Sequence, residues 1–158
     1  MAKQETTQED FQKVIGGASL SSINLSAFQC RCLSQLPKDY SLVLETVTER
    51  YDFPGIFCSV TLKLSCEDEG TEGKEIAAFE GTYNLVYTLA ESDYSDSAIE
   101  LFVERNGTYN VYPYFRELVD SHARRMGLGI ITLPLLKPQN AGAKTIRFTR
   151  QEVKEVGA

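Results

Sequence analysis

The sequence predicts an α+β fold: a four-stranded antiparallel sheet with one face covered by helices. Three observations predict it. Residues 56–66, IFCSVTLKLSC, place Ile56, Cys58, Val60, Leu62, Leu64 and Cys66 on one side and Ser59, Thr61, Lys63 and Ser65 on the other, the period of a half-buried strand. Residues 75–89 repeat that pattern, with Ala77, Phe79, Tyr83, Leu85, Tyr87 and Leu89 opposed to Glu80, Thr82, Asn84 and Thr88. The later sequence then changes to a helical period, and the dry side of such a sheet requires a cover.

The elements follow in order. Residues 7–16 read as a short helix, with Thr7 as its cap, Phe11, Val14 and Ile15 as one stripe, and Gly16-Gly17 as its stop. In residues 23–36, Ile23 and Leu25 share one parity, and Phe28, Cys30 and Cys32 share the other. That change of phase predicts a bulge or bend at Ser26-Ala27. A turn at Pro37–Asp39 precedes a strand over 40–52, and a DFPG turn precedes the strand at 56–66. An acidic loop, CEDEGTEGKE (66–75), leads to the fourth strand. Ser95 and Asp96 are cap candidates for a helix over 95–105 that stops before Asn106-Gly107.

The longer helix then opens at Pro113, which has no N–H to leave unpaired in a first turn. Phe115, Leu118, Val119, His122 and Met126 fall on one face, and Asp120 with Arg124 forms an i, i+4 pair. Gly127 and Gly129 end the helix, and IITLPLL leaves it extended. The tail after 136 stays open between a strand at KTIRFTR and an unstructured end. The chain thus divides into an N-terminal extension (1–21), a main domain (22–136) and a C-terminal tail (137–158).

Length and composition fit one globular domain of 158 residues. The net charge of −6 argues against nucleic acid, whose phosphates are met by clustered Lys and Arg. No apolar run reaches the roughly 20 residues that span a bilayer, and the polar start carries no apolar secretory segment, so membrane insertion is not expected and a cytoplasmic location is. There the four cysteines stay reduced. Their spacing is not Cys-x-x-Cys, which favours packing over metal or redox work, and no metal site is expected.

Catalytic groupings are missing from the pattern. The single histidine, His122, lies on the apolar face of its helix, where packing is a better account than a general base. GTEGK (70–74) is too short for a phosphate loop, and Glu75 stands where a hydroxyl would hold magnesium. No cofactor is implied. The surplus is aromatic: Tyr83, Tyr87, Tyr94, Phe102, Tyr109, Tyr112, Tyr114 and Phe115 cluster in sequence. Two readings stand, a core between sheet and helices, or a groove for apolar segments of another chain.

FEGTYNLVYTL, then Tyr112-Pro113-Tyr114 with Arg116-Glu117, then Gly127–Leu136 with Pro134, resembles the SecB export chaperones over about residues 22–136. The resemblance implies a SecB-like four-stranded sheet backed by helices, no enzymatic activity, and capture of unfolded polypeptides or preproteins. It implies a groove to which we assign Leu42, Leu44, Tyr94, Phe102, Tyr109, Tyr112, Ile130 and Leu133. It implies a homotetramer built as a dimer of dimers, or a dimer, with Tyr114, Phe115, Leu118, Val119, His122 and Met126 on the assembly helix. Glu80, within AAFEGTYNL, resembles the acidic strand position on which the Sec translocation ATPase docks in that family, with Glu45 and Glu49 as an extension of that surface; a solvated sheet face accounts for all three equally well. The tail lacks the family's second long helix and acidic end. That departure fits the SecB-like proteins that guard an antitoxin in toxin–antitoxin modules at least as well as export. A regulatory domain that kept the fold and binds a small ligand is a further alternative.

Overall fold

A computed structural model describes residues 8–37, 39–51, 55–71, 74–91 and 93–148. The α+β architecture is present, with one five-stranded antiparallel sheet in the order β1-β4-β3-β2-β5. The strands are β1 (Ala18–Cys32), β2 (Tyr40–Tyr51), β3 (Ile56–Asp68), β4 (Lys74–Leu89) and β5 (Thr145–Phe148). The expected count of four is therefore corrected to five. The fifth strand comes from the C-terminal tail, where Ile146 and Phe148 alternate into the core and pair opposite Leu44 and Leu42.

β3 follows the sequence reading throughout. Ile56, Cys58, Val60, Leu62, Leu64 and Cys66 are all fully buried on the covered side. β4 continues that side with Ala77, Phe79, Tyr83, Leu85 and Tyr87. β1 starts earlier than expected, at Ala18, because Leu20 pairs with Tyr87 before the first irregularity. Its register slips between Leu20 and Ser22 and again between Leu25 and Ala27, the second slip falling at the predicted bulge.

The cover is α1 (Gln8–Gly17), α2 (Asp96–Phe102) and α3 (Thr108–Arg125), with the extended segment 128–137. Ser95 caps α2 by accepting from the Ala98 N–H at 3.3 Å. The helix does not stop at Asn106-Gly107 as the sequence suggests. It runs through a π turn, Val103–Gly107, directly into α3. Gly107 is right-handed helical, and a Cβ there would lie 3.2 Å from Val60 Cγ2. Its small size lets the helix pass close over β3, so a residue that reads as a stop is a contact. Pro113 accordingly lies inside α3 and not at its start. The missing proline N–H deprives the Tyr109 carbonyl of its helical donor on a turn where Tyr109 is half-exposed.

α3 ends on Gly127 at φ +74°, with the Leu128 N–H bonded to the Ala123 carbonyl (2.9 Å) and the Gly127 N–H to the Arg124 carbonyl (3.1 Å). This six-to-one and five-to-two pattern needs a left-handed residue, which glycine adopts without strain. Buried Leu128 seals the turn and directs the chain into IITLPLL. The Asp120–Arg124 pair forms at 3.2 Å.

β5 is held near balance. Burying Ile146 and Phe148 contributes about 3–6 kcal/mol, while fixing four residues of backbone costs about 4–8 kcal/mol. Its hydrogen bonds to β2 decide the sign. Thr7, residues 52–54 of the DFPG turn and the residues after Phe148 lie outside the described residues.

Candidate functional site

The groove residues expected from the sequence separate into two groups. Leu42, Leu44, Phe102, Tyr112 and Leu133 are interior side chains of the single chain. Leu42 and Leu44 lie on the covered side of β2, next to β5. Phe102 meets Tyr87 edge to face, with ring centroids 4.9 Å apart. These five fill the core, and none of them offers an open wall. The helical and strand phases that made them apolar turn them inward.

Tyr109 and Ile130 do reach the surface, 48% and 58% exposed. Tyr94 is half-buried, with the Lys13 ammonium 5.7 Å from its ring. The segment carrying Ile130 is seated by α3. The Tyr112 hydroxyl donates to the Pro134 carbonyl, and Arg116 Nε donates to the Leu133 carbonyl at 2.8 Å. Ile131, Leu133 and Leu136 thereby face in, and Ile130 and Leu135 face out. Tyr112 and Arg116 of the YPYFRE stretch (112–117) thus tether the apolar run to its helix.

The assembly-helix residues also divide. Phe115 and Val119 are fully buried against the sheet. Leu118, His122 and Met126 are half-buried on the flank toward β1, and Tyr114 is 56% exposed. The His122 ring lies 4.6 Å from Phe28, and its Nδ1–H donates to the Leu118 carbonyl at 2.8 Å. His122 packs against Phe28 and bonds back to its own helix.

That flank opens into a trough of about 470 Å³ between the edge strand and α3. Leu20, Ile23 and Leu25 form one wall, and Tyr114, Glu117 and Leu118 form the other. Leu20 and Leu25 are exposed although they lie on the side of the sheet that α3 covers elsewhere. Tyr83 lines the trough with a buried hydroxyl that has no hydrogen-bond partner among the described residues. Burial first, then the Glu117 charge, pushes that phenol up to about 12. Sequence reading left Tyr83 open between core and groove and did not assign Leu20 or Leu25 to a groove. The usable signal was an apolar edge strand without enough helix to cover it.

Glu45, Glu49 and Glu80 all lie on the uncovered face of the sheet. In the ladder Glu45 stands opposite Lys63, and Lys63 opposite Glu80. Gln29 donates to Glu80 at 3.2 Å, and the Tyr51 hydroxyl donates to Glu49 at 3.0 Å. Arg31 pairs with Glu75, and Arg147 with Glu67 at 3.6 Å. This face carries mixed charge and not a purely acidic field. The cysteines are free thiols: Cys58 and Cys66 are buried, Cys30 is half-buried and Cys32 is exposed. No described helix is long and apolar enough to cross a membrane.

An antiparallel sheet covered on one side by a long helix and its tethered apolar segment defines a SecB-like fold. Among solved structures the chain matches the Mycobacterium tuberculosis Rv1957 SecB-like chaperone in complex with a ChAD peptide from the Rv1956 HigA1 antitoxin. The TM-score is 0.69 at 18% identity, over 82% of this chain and 98% of that one. No protein-family model and no curated protein matches the chain.

Proposed function

We propose that this protein is an ATP-independent holdase that keeps an aggregation-prone antitoxin segment soluble. The observation that carries this reading is the open apolar trough beside α3 in a SecB-like fold. An apolar trough binds by area removed from water, so it holds unfolded segments without chemistry of its own. The fold's likeness to a chaperone solved with an antitoxin peptide favours the antitoxin over general export. The mixed charge around Glu45, Glu49 and Glu80 adds to that preference, since an ATPase docking face relies on an acidic field.

The same trough supports self-assembly through Tyr114 and its neighbours, as a dimer or a dimer of dimers, in the cytoplasm. An exposed wall of Leu20, Leu25 and Tyr114 is the kind of surface that copies of a chain cover. Denatured client is diluted into buffer with the protein, and light scattering and native mass are followed together. The proposal predicts delayed aggregation and a defined client-bound mass. Unchanged scattering at a several-fold excess of protein refutes it. Co-expression with an antitoxin encoded beside it separates the two client classes, because a dedicated guard raises antitoxin abundance and leaves exported proteins unaffected.

Export remains the second reading. It is favoured by the position of Glu80 on β4, and it predicts binding to the translocation ATPase that is lost in a Glu45/Glu49/Glu80 triple Gln variant.

A further inference from the structure

The inference rests on the holdase reading and adds a place where an extended segment docks. β5 is itself an extended apolar segment, seated on the edge of β2. Ile146 lies opposite Leu44 and Phe148 opposite Leu42, both buried on the covered side. Arg147 faces the other way, with Nη1 3.6 Å from Glu67. The Thr46 N–H donates to the Lys144 carbonyl at 2.8 Å, where the pairing begins.

We propose that the β2 edge is a polypeptide-binding site for an extended segment with two apolar side chains two residues apart and a cation between them, and that β5 is its displaceable occupant in cis. Backbone pairing along an edge accepts any sequence, while alternate side chains enter sockets, so affinity and choice come from different groups. The sockets beside Leu42 and Leu44 take the apolar pair, and Glu67 selects the cation.

Three features make β5 the displaceable partner. Its described pairing spans four residues, Thr145–Phe148, whereas β1 to β4 run from 12 to 16. Among the described residues it pairs with β2 alone, so its departure leaves the other four strands bonded as before. It is joined to the body through a 3-10 turn at Pro138–Asn140, itself held by hydrogen bonds local to the turn. Short, single-partner elements are the first to open locally. A guest then binds with its intrinsic affinity reduced by the fraction of molecules whose edge is empty.

The test uses a fluorescent peptide of sequence AKTIRFTR, that of residues 143–150, with the full chain. The I146D/F148D variant empties the sockets. The V43C/R147C variant joins two residues that are directly opposite in the ladder, and its oxidised form locks β5 in place. We expect I146D/F148D to bind the peptide at least about tenfold more tightly than the parent chain. The oxidised lock binds at least about tenfold more weakly, and reductant restores the binding. If I146D/F148D does not fold, the lock and its reduction decide alone, because the lock retains every native contact of Ile146 and Phe148. A chain that delays client aggregation while its peptide affinity ignores the lock overturns the edge site and leaves the holdase reading standing. A chain that binds the peptide in a lock-dependent way yet delays no aggregation supports the edge site and overturns the holdase reading.

Discussion

Tyr112 is where the loss of one atom should be measurable. Tyr112→Phe keeps the ring in the core and removes only the hydroxyl that donates to the Pro134 carbonyl. Tyr112 and Pro134 are both buried, so the carbonyl loses its donor where water reaches it poorly. An unsatisfied buried acceptor costs about 1–3 kcal/mol. The lower half of that range applies, because Arg116 Nε still holds the neighbouring Leu133 carbonyl at 2.8 Å and keeps the segment seated. Taking about 1.5 kcal/mol and a urea slope of about 2 kcal/mol per molar, the unfolding midpoint falls by about 0.7 M. Equilibrium urea unfolding followed by far-UV circular dichroism reads this directly. Adding Arg116→Met removes the second tether of the same segment, so the double variant departs from the sum of the two single losses. A Tyr112→Phe midpoint equal to that of the parent, with a native spectrum, refutes the tether.

Tyr114→Asp changes a half-exposed ring, so the stability of an isolated chain shifts by no more than about 0.5 kcal/mol while native mass falls to that of the monomer. Unaltered mass would show that the trough is not shared between copies. Tyr83→Phe removes a hydroxyl with no partner in the described chain and leaves the unfolding free energy unchanged or raises it by up to about 1 kcal/mol. A lowered midpoint would reveal an acceptor supplied by a second chain. Burial pushes the Cys58 and Cys66 thiols from 9.0 up to about 12. The folded chain therefore keeps protons that the unfolded chain releases above pH 9.0, and stability is lost as pH rises from there toward about 12. Urea midpoints that stay level from about pH 8 to about pH 11 contradict this. In the native state a thiol reagent should modify Cys32 first and Cys58 and Cys66 only on unfolding.

The sheet was legible where alternation is strict and both sides have a clear fate. β3 and β4 show this, with Ile56, Cys58, Val60, Leu62, Leu64 and Cys66 of β3 all buried on one parity. The slip beside Ser26 was legible too, because parity reversed there. The helix break at Asn106-Gly107 was misread, since sequence does not distinguish a glycine that ends a helix from one that lets it graze a strand. Only the Val60 contact does. β5 carried the right alternation, but four residues have no period long enough to claim a partner without seeing the open β2 edge.

The site was less legible than the fold, for a physical reason. Periodicity says that Phe102, Tyr109, Tyr112 and Tyr114 are bulky. It does not say which of them the sheet can reach. Phe102 and Tyr112 are swallowed by contacts with Tyr87 and Pro134, while Tyr109 and Tyr114 remain outside. Leu20 and Leu25 look like ordinary core residues until the width of the covering helix is known.

The two slips in β1 also bear on what a bare apolar margin can recruit. A straight strand of 15 residues would be a template on which further strands stack without limit. Extra residues at Ser21 and Ser26 break that template into three short stretches out of step with one another, so an incoming strand matches only if it carries the same irregularities. A twin copy can satisfy that condition by twofold symmetry, and in doing so it consumes both margins. Growth along the β1 margin would then terminate at the pair.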